Sequence, residues 1–269
     1  MMFNSFYGFT FNPFDKSLAE SHAFKSKDHE QMLSRLDYLK STRGIGLFTA
    51  LPGMGKTFTL RCFAQSLNPN LFQLSYICLS TVCVTEFYQQ FCHELGLDFG
   101  PKKSLMFRNI QERLLHLFRE KRKTFILVID ESQYLNPHVL RDIKMLMNVH
   151  FDSIDCFALI LIGQPFLCSI LEKPIHEALK QRIVVHYNYA GFSVDEAKSY
   201  IFSRIELAGA ALSIIDDAAV HAVANFSQGT PRIINSVMSN ALLLGSQLKK
   251  IVIDTDVILA ACNSLSLGQ

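Results

Sequence analysis

A glycine-rich loop between a strand and a helix is the feature that most restricts what this chain can fold into. Residues 50–57 read Ala-Leu-Pro-Gly-Met-Gly-Lys-Thr and follow a short run of apolar, β-prone residues. This order matches the pattern G-x-x-x-x-G-K-[ST] at every specified position except the first, where Ala50 replaces glycine. The glycines let backbone N–H groups converge on phosphate oxygens, and the next helix adds the positive end of its dipole. The loop predicts a phosphate-binding site in an α/β fold.

The charged and hydroxyl side chains that close this loop have predicted tasks. Lys56 neutralises the β and γ phosphates of a nucleoside triphosphate, and Thr57 ligates Mg²⁺. Because alanine tolerates a positive φ poorly, we expect the start of the loop to be slightly reshaped at Ala50. A Gly-Pro loop with an incidental lysine is the alternative. The predicted nucleotide-binding residues here are Pro52, Gly53, Met54, Gly55, Lys56, Thr57 and Phe58.

An apolar run that ends in two carboxylates supplies the second part of the predicted site. Residues 125–131 read Phe-Ile-Leu-Val-Ile-Asp-Glu. A buried parallel strand delivers Asp130 and Glu131 to its carboxyl end, where ligands bind in open α/β sheets. Asp130 is predicted to hold Mg²⁺, and Glu131 to orient and polarise the attacking water. Alone, such a run also fits a strand that simply leaves the core, but with Lys56 and Thr57 it indicates ATP hydrolysis.

Periodicity divides the chain into three regions. Residues 1–43 hold an aromatic cluster and then a helix with one apolar face, formed by Met32, Leu33, Leu36 and Leu39. Residues 44–190 alternate β-rich and amphipathic runs, which predicts a parallel five-stranded sheet flanked by helices. The predicted strands are 46–51, 74–79, 124–129, 158–162 and 183–187, and the predicted helices are 56–67, 85–95, 107–119 and 139–148.

The last region, residues 191–269, has helix signals and almost no strand pattern. Ser193 and Glu196 form a capping box, and Pro231 suits the first position of a later helix. A further helix, between the one that Ser193 caps and the one that starts at Pro231, is predicted to open at Ser213 with the acidic pair at 216–217. A final helix is predicted to start near residue 255. These signals predict a small C-terminal α-helical domain.

Composition limits the partners and the compartment. The net charge of +2 shows no general nucleic-acid signature, so any such contact must be local. The seven cysteines include no C-x-x-C pair, which favours a reducing cytoplasm over a disulfide framework or a zinc site. No apolar stretch reaches the roughly 20 residues that span a bilayer, so no membrane association is expected.

Taken in order, these segments resemble the AAA+ ATPases of the ExeA/TniB/TnsC/MuB group. The resemblance covers nearly the whole chain and rests on residues 6–14, 56–57, 130–133, 162–165, 181–182 and 229–232. It implies an AAA+ P-loop NTPase fold with a C-terminal α-helical lid, and ATP and Mg²⁺ as cofactors. It also implies that Gln164 is the sensor 1 residue, Arg182 the arginine finger for a neighbouring subunit, and Arg232 the sensor 2 residue. A strand-end turn for Gln164 and solvated side chains for the arginines are the alternatives.

The resemblance also implies a DNA partner. Standalone members of the group assemble as rings or helical filaments around double-stranded DNA, so a homo-oligomer with sequence-tolerant binding is expected. Residues 100–104 with Arg108 resemble the pore-facing segment of TnsC-like proteins. Lys102, Lys103, Ser104 and Arg108 are the predicted DNA contacts, where lysines neutralise phosphates. A solvated Pro-Lys-Lys loop is the alternative.

Within this group the sequence favours a regulator of DNA transposition. The ExeA secretion ATPase carries in addition a membrane span and a peptidoglycan-binding domain, and neither is recognised in these 269 residues. We therefore expect an ATPase that marks target DNA and recruits or stimulates a transposase, with a target-selection protein as a further partner. The alternatives are a secretion-linked or helicase-loader-like ATPase and, because of Ala50, a nucleotide-gated scaffold that does not hydrolyse ATP.

Overall fold

The computed structural model describes residues 2–16, 19–78, 80–149 and 154–265. Its contacts divide into two compact units. The α/β unit comprises Gln31–Pro52 and Thr59–Tyr189, and the helical unit comprises Met1–Glu30, Gly53–Phe58 and Ala190–Gln269.

A parallel sheet of five strands forms the centre of the α/β unit. The strands are β1 (Gly44–Thr49), β2 (Phe72–Ile77), β3 (Thr124–Ile129), β4 (Phe157–Gly163) and β5 (Ile183–Asn188). Their order across the sheet is β2-β3-β4-β1-β5, and every pairing is parallel. The predicted five-stranded parallel sheet is confirmed. The sequence placed the end of the second strand at Leu79, which lies outside the described residues.

Twelve α-helices accompany these strands in the described residues. They are α1 (Met2–Tyr7), α2 (Lys27–Thr42), α3 (Lys56–Ser66), α4 (Val84–Glu94), α5 (Lys103–Arg119), α6 (Pro137–Leu146), α7 (Phe166–Leu171), α8 (Glu177–Lys180), α9 (Val194–Leu207), α10 (Asp217–Ser227), α11 (Pro231–Gln247) and α12 (Thr255–Leu265). None of these described helices is long and apolar enough to cross a bilayer.

Burial explains the strand sequences. Strands β1, β3 and β4 are buried at every position and read as continuous apolar runs, as expected for strands covered on both faces. The edge strands β2 and β5 mix exposed and buried positions. Helices α4, α5 and α6 supply much of the remaining core, including Phe91, Ile110 and Leu140, none of which exposes surface.

The predicted start of α5 was wrong, and so was one of the residues predicted to open α10. Helix α5 begins at Lys103, four residues before the predicted start at 107, because Met106 continues the buried spacing of Ile110 and Leu114. Helix α10 is capped by the Asp216 carboxylate, which accepts the Ala219 N–H at 2.6 Å. Ser213, predicted to help open that helix, lies in a separate 3-10 turn.

The helical unit has its own core, and the N-terminal aromatic cluster belongs to it. Phe3, Tyr7, Phe9 and Phe14 are buried there among apolar residues of α9 to α12. The Tyr7 hydroxyl donates to the Lys250 carbonyl at 2.9 Å, and burial raises the pKa of Tyr7 to about 12. The predicted capping box is present as well. Glu196 N–H donates to Ser193 Oγ at 3.1 Å, and Ser193 N–H donates to a Glu196 carboxylate oxygen at 3.0 Å.

Candidate active site

The glycine-rich loop leaves the sheet at the carboxyl end of β1. Ala50 is fully buried, its N–H donates to the Gly163 carbonyl at 3.1 Å, and it does not adopt a positive φ. Alanine at this position is therefore compatible with the backbone that the loop adopts. The positive φ values of the loop fall on Gly53 (86°) and Gly55 (92°), where glycine meets little steric resistance.

The end of the loop leads directly into a helix. Helix α3 begins at Lys56, so its first N–H groups and the positive end of its dipole follow the second glycine directly. Lys56 is buried apart from 8% of its surface, whereas Thr57 and Pro52 are exposed. Met54 is buried beside Gly191, where an added Cβ would lie 3.2 Å from the Met54 sulfur. The ring of Phe58, the last predicted nucleotide-binding residue, has its centre 6.4 Å from that of His29.

Arg232, predicted to act as sensor 2, lies against the loop within the helical unit. It occupies the first turn of α11, and its N–H donates to the Gly53 carbonyl at 3.3 Å. A Cβ on residue 53 would lie 2.8 Å from the Arg232 Cβ, so glycine is required for this close approach. The structure thus brings together two segments that are far apart in the sequence.

Asp130 follows β3 at the carboxyl edge of the sheet and is 7% exposed. One carboxylate oxygen accepts the Glu131 N–H at 2.8 Å, and the other accepts the Tyr76 hydroxyl at 2.6 Å. Burial first, and then the hydrogen bond and charge of Asp130, raise the pKa of Tyr76 above its ordinary value, so the phenol stays protonated and donates. Tyr76 was not predicted from the sequence, because its contact with Asp130 depends on the pairing of β2 with β3.

Glu131 has an unusual backbone. Its φ of 48° and ψ of 39° are left-handed, a conformation that costs about 1–3 kcal/mol in a residue other than glycine and concentrates at functional sites. The Glu131 carbonyl accepts a hydrogen bond from the Ser80 hydroxyl at 3.0 Å. The Glu131 carboxylate accepts one from Nε2 of Gln133 at 2.6 Å. Gln133 is the second residue that the sequence analysis missed.

Gln164 directly follows β4 at the same edge of the sheet. Its N–H donates to Oε1 of Gln133 at 3.1 Å, so Gln133 contacts both Glu131 and Gln164. The predicted water-polarising residue and the predicted sensor 1 residue are therefore linked through one amide side chain.

Arg182 lies at the opposite, amino edge of the sheet. It precedes β5, and its guanidinium is 3.6 Å from the Asp155 carboxylate, with 16% of the side chain exposed. Burial lowers the pKa of Arg182. Within one chain the structure does not bring Arg182 to the carboxyl edge. A finger that acts on a neighbouring subunit does not need to lie there.

The predicted DNA contacts lie at the start of α5. Lys103 and Ser104 belong to the first helical turn, which corrects the predicted loop, and Lys102 directly precedes it. The Lys103 ammonium is 2.5 Å from the Asp142 carboxylate. Arg108 is 3.7 Å from Glu112, and both side chains are mostly exposed. Two of the three predicted cations are thus paired within the chain.

Asp130 fits a magnesium ligand by its chemistry. No group of three or more His, Cys, Asp or Glu residues that could hold a metal ion occurs in the described part of the chain. Mg²⁺ usually keeps several waters and takes one or two protein ligands together with substrate phosphates. A single buried carboxylate such as Asp130 suits this mode of binding.

The chain is similar to known proteins in sequence and in fold. Residues 39–171 match a family model described as an AAA domain. General secretion pathway protein A of Aeromonas hydrophila is 30% identical over 245 residues, which are 90% of this chain and 44% of that protein. The chain thus spans less than half the length of this relative.

Two solved structures illustrate the shared fold. Cdc6p from Pyrobaculum aerophilum has a TM-score of 0.71 and 17% identity, covering 96% of this chain and 71% of that one. The Aeropyrum pernix ORC1 protein in complex with DNA has a TM-score of 0.65 and 17% identity, covering 92% and 68%.

The chain therefore has the fold of the AAA-type P-loop NTPases, and residues 39–171 match the family model of an AAA domain. Its relative in Aeromonas hydrophila bears out the ExeA part of the resemblance. The TniB, TnsC and MuB part stays a prediction.

Proposed function

We propose that this protein binds ATP with Mg²⁺ and hydrolyses it to ADP and phosphate. The observation that supports this most directly is the group at the carboxyl edge of the sheet. There the Glu131 carboxylate is held at 2.6 Å by Gln133, one residue after the buried Asp130. A fixed carboxylate next to a metal-binding carboxylate is the arrangement needed to activate water beside a phosphoryl group.

Each residue has a part in this reaction. Lys56 neutralises the β and γ phosphates, and the N–H groups of the Gly53–Gly55 loop donate to phosphate oxygens. Thr57 and Asp130 hold Mg²⁺, which when bound neutralises charge that develops on the phosphates. Glu131 accepts a proton from the attacking water. Gln164 and Arg232 contact the γ phosphate. Because they lie at the end of β4 and in α11, these elements respond to the presence of the γ phosphate.

A second subunit completes the proposed site. Arg182 extends from the amino edge of the sheet to the nucleotide of a neighbouring subunit and stabilises charge in the transition state. In the single chain its guanidinium is 3.6 Å from Asp155, so assembly has to redirect it. Hydrolysis therefore depends on a homo-oligomer, either a ring or a helical filament.

Double-stranded DNA is the proposed partner of this oligomer. The ORC1 protein, which has the same fold, was solved in complex with DNA. Lys102 and Lys103, with Ser104 and Arg108, are the proposed contacts to the phosphate backbone. A single chain with a net charge of +2 attracts DNA weakly, but lysines repeated over many subunits act together.

For the biological role, we propose regulation of DNA transposition in the cytoplasm, with target marking followed by recruitment or stimulation of a transposase. A role in secretion is the second candidate, and one observation favours it. The relative named general secretion pathway protein A is similar over 90% of this chain. Strand transfer by a purified transposase distinguishes the two roles. We expect a transposition regulator to increase it and a secretion ATPase to leave it unchanged.

Electron microscopy with duplex DNA and a non-hydrolysable ATP analogue tests the assembly. We expect rings or filaments around the duplex when both are present, and dispersed protein when the nucleotide is left out. Dispersed protein under all conditions would contradict an oligomeric DNA-binding ATPase.

A further inference from the structure

We propose that Gln133 is a positioning residue that holds the Glu131 carboxylate and ties it to the end of β4. The inference rests on the ATP hydrolysis proposed above. Gln133 Nε2 donates to Glu131 at 2.6 Å, while Oε1 accepts the Gln164 N–H at 3.1 Å. We call these three residues the Gln133 clamp.

The two partners fix the orientation of the amide. A backbone N–H only donates and a carboxylate only accepts, so Oε1 must face Gln164 and Nε2 must face Glu131. Gln133 is 8% exposed, and a buried amide that loses either partner is left with an unsatisfied polar atom. Each bond therefore favours the other, and both ends of the clamp move together.

Neighbouring residues hold the Gln133 amide in place. A Cβ on residue 163 would lie 2.6 Å from Oε1 of Gln133, so only glycine allows the amide oxygen to approach the end of β4. Ser132 is fully buried, and its hydroxyl donates to the Ile129 carbonyl at 2.7 Å. This bond anchors the 3-10 turn Ser132–Tyr134 that carries Gln133. The clamp is thus held from both sides.

The clamp couples phosphate sensing to water activation. Gln164 is proposed to contact the γ phosphate with its side chain, and its main chain is bonded to Gln133. A shift at the end of β4 is therefore passed to the Glu131 carboxylate through one rigid amide. Because Gln133 is not one of the proposed nucleotide contacts, its loss should affect kcat much more than KM.

Two substitutions separate the ends of the clamp. Gln133→Met keeps the length of the side chain but removes both hydrogen bonds. Gln133→Glu keeps an acceptor for the Gln164 N–H but places a second carboxylate beside Glu131. We expect both to lower kcat roughly 10- to 100-fold, part of the 10²–10⁴-fold that a general base contributes. KM for ATP should stay within about twofold of wild type. The matched control is Gln90→Met on α4, a helix that supplies no group to the clamp.

Amide hydrogen exchange measured by NMR on the nucleotide-free protein tests the clamp without hydrolysis. The Gln164 N–H should exchange faster in Gln133→Met and remain as slow as wild type in Gln133→Glu and Gln90→Met. Unchanged Gln164 exchange in Gln133→Met, or a wild-type kcat in both Gln133 variants, would overturn the inference. If wild type itself does not hydrolyse ATP, the proposed function fails, and the exchange data still decide whether the clamp exists.

Discussion

The two edges of the central sheet use their polar residues differently. At the carboxyl edge, Asp130, Glu131 and Gln164 are linked by short hydrogen bonds to Tyr76 and Gln133. At the amino edge, cations contact groups of their own chain. Arg182 is 3.6 Å from Asp155, and Arg43 is 3.4 Å from the Thr124 hydroxyl and stacks 4.5 Å from the Phe118 ring centre. The carboxyl edge thus gathers linked acceptor groups, whereas the cations of the amino edge contact groups of the same chain.

This difference shows what strand direction decides and what it leaves open. A residue that directly follows a parallel strand lies at the carboxyl edge of the sheet. Ligands of open α/β sheets bind at this edge. Whether the side chain is available to another molecule depends on its local partners. Arg182 is the strongest case, because its proposed task lies in another subunit and its present partner is Asp155.

The largest effect is expected from Arg182→Ala. Loss of an arginine finger lowers turnover on the order of 10³-fold or more, with nucleotide affinity of the single chain retained. Mixing Arg182→Ala with Glu131→Gln should restore part of the turnover, since one chain then supplies the base and the other the arginine. The matched control Asp155→Asn breaks the ion pair without removing the arginine and should not lower turnover. An inactive mixture would show that Arg182 serves only the amino edge.

A smaller effect is expected from Lys102→Ala combined with Lys103→Ala. Removing two phosphate contacts lowers the slope of log affinity against log salt by about 1.8, at about 0.9 for each contact. A filter-binding salt series measures this slope, and ATP affinity should not change. Lys121→Ala with Lys123→Ala, just before β3 at the amino edge, is the matched control and should leave the slope unchanged. Equal slopes in both double variants would remove the start of α5 from the DNA surface.

The smallest effect is expected from Tyr76→Phe. The substitution removes a hydrogen bond of about 1 kcal/mol from Asp130, and this corresponds to roughly fivefold in affinity. The Mg²⁺ concentration for half-maximal binding of a fluorescent ATP analogue should rise by that factor, while binding without Mg²⁺ stays unchanged. Tyr38→Phe, on the exposed side of α2, is the control. Identical Mg²⁺ titrations of Tyr76→Phe and wild type would show that this bond does not support the metal ligand.

Much of the fold was predictable, because its strongest signals are local. Buried strands such as β3 and β4 are continuous apolar runs, and the capping box at Ser193 is a four-residue pattern. The start of α5 was predicted four residues too late, because its first turn contains Lys103 and Ser104 and does not show the apolar spacing that Met106 begins. For the proposed site, Asp130 and Glu131 could be named from the sequence because they follow an apolar run within one segment.

Other parts of the site depend on contacts between distant segments and could not be predicted. Tyr76 meets Asp130 only because β2 and β3 are neighbours in the sheet. Gln133 meets Gln164 only because β3 also pairs with β4. Likewise, the sequence shows Lys103 as a cation but does not show Asp142, its partner on α6. Pairing of this kind is set by tertiary packing.

ATP turnover of wild type and Glu131→Gln, measured with Mg²⁺ and duplex DNA, tests the central claim most directly. We expect DNA-stimulated turnover in wild type and a loss of roughly 10²–10⁴-fold in Glu131→Gln, because glutamine cannot accept the proton of the attacking water. Both proteins should bind a fluorescent ATP analogue equally well. Equal turnover by the two proteins, or no turnover by either, would contradict the assignment of Glu131 as the base of an ATPase.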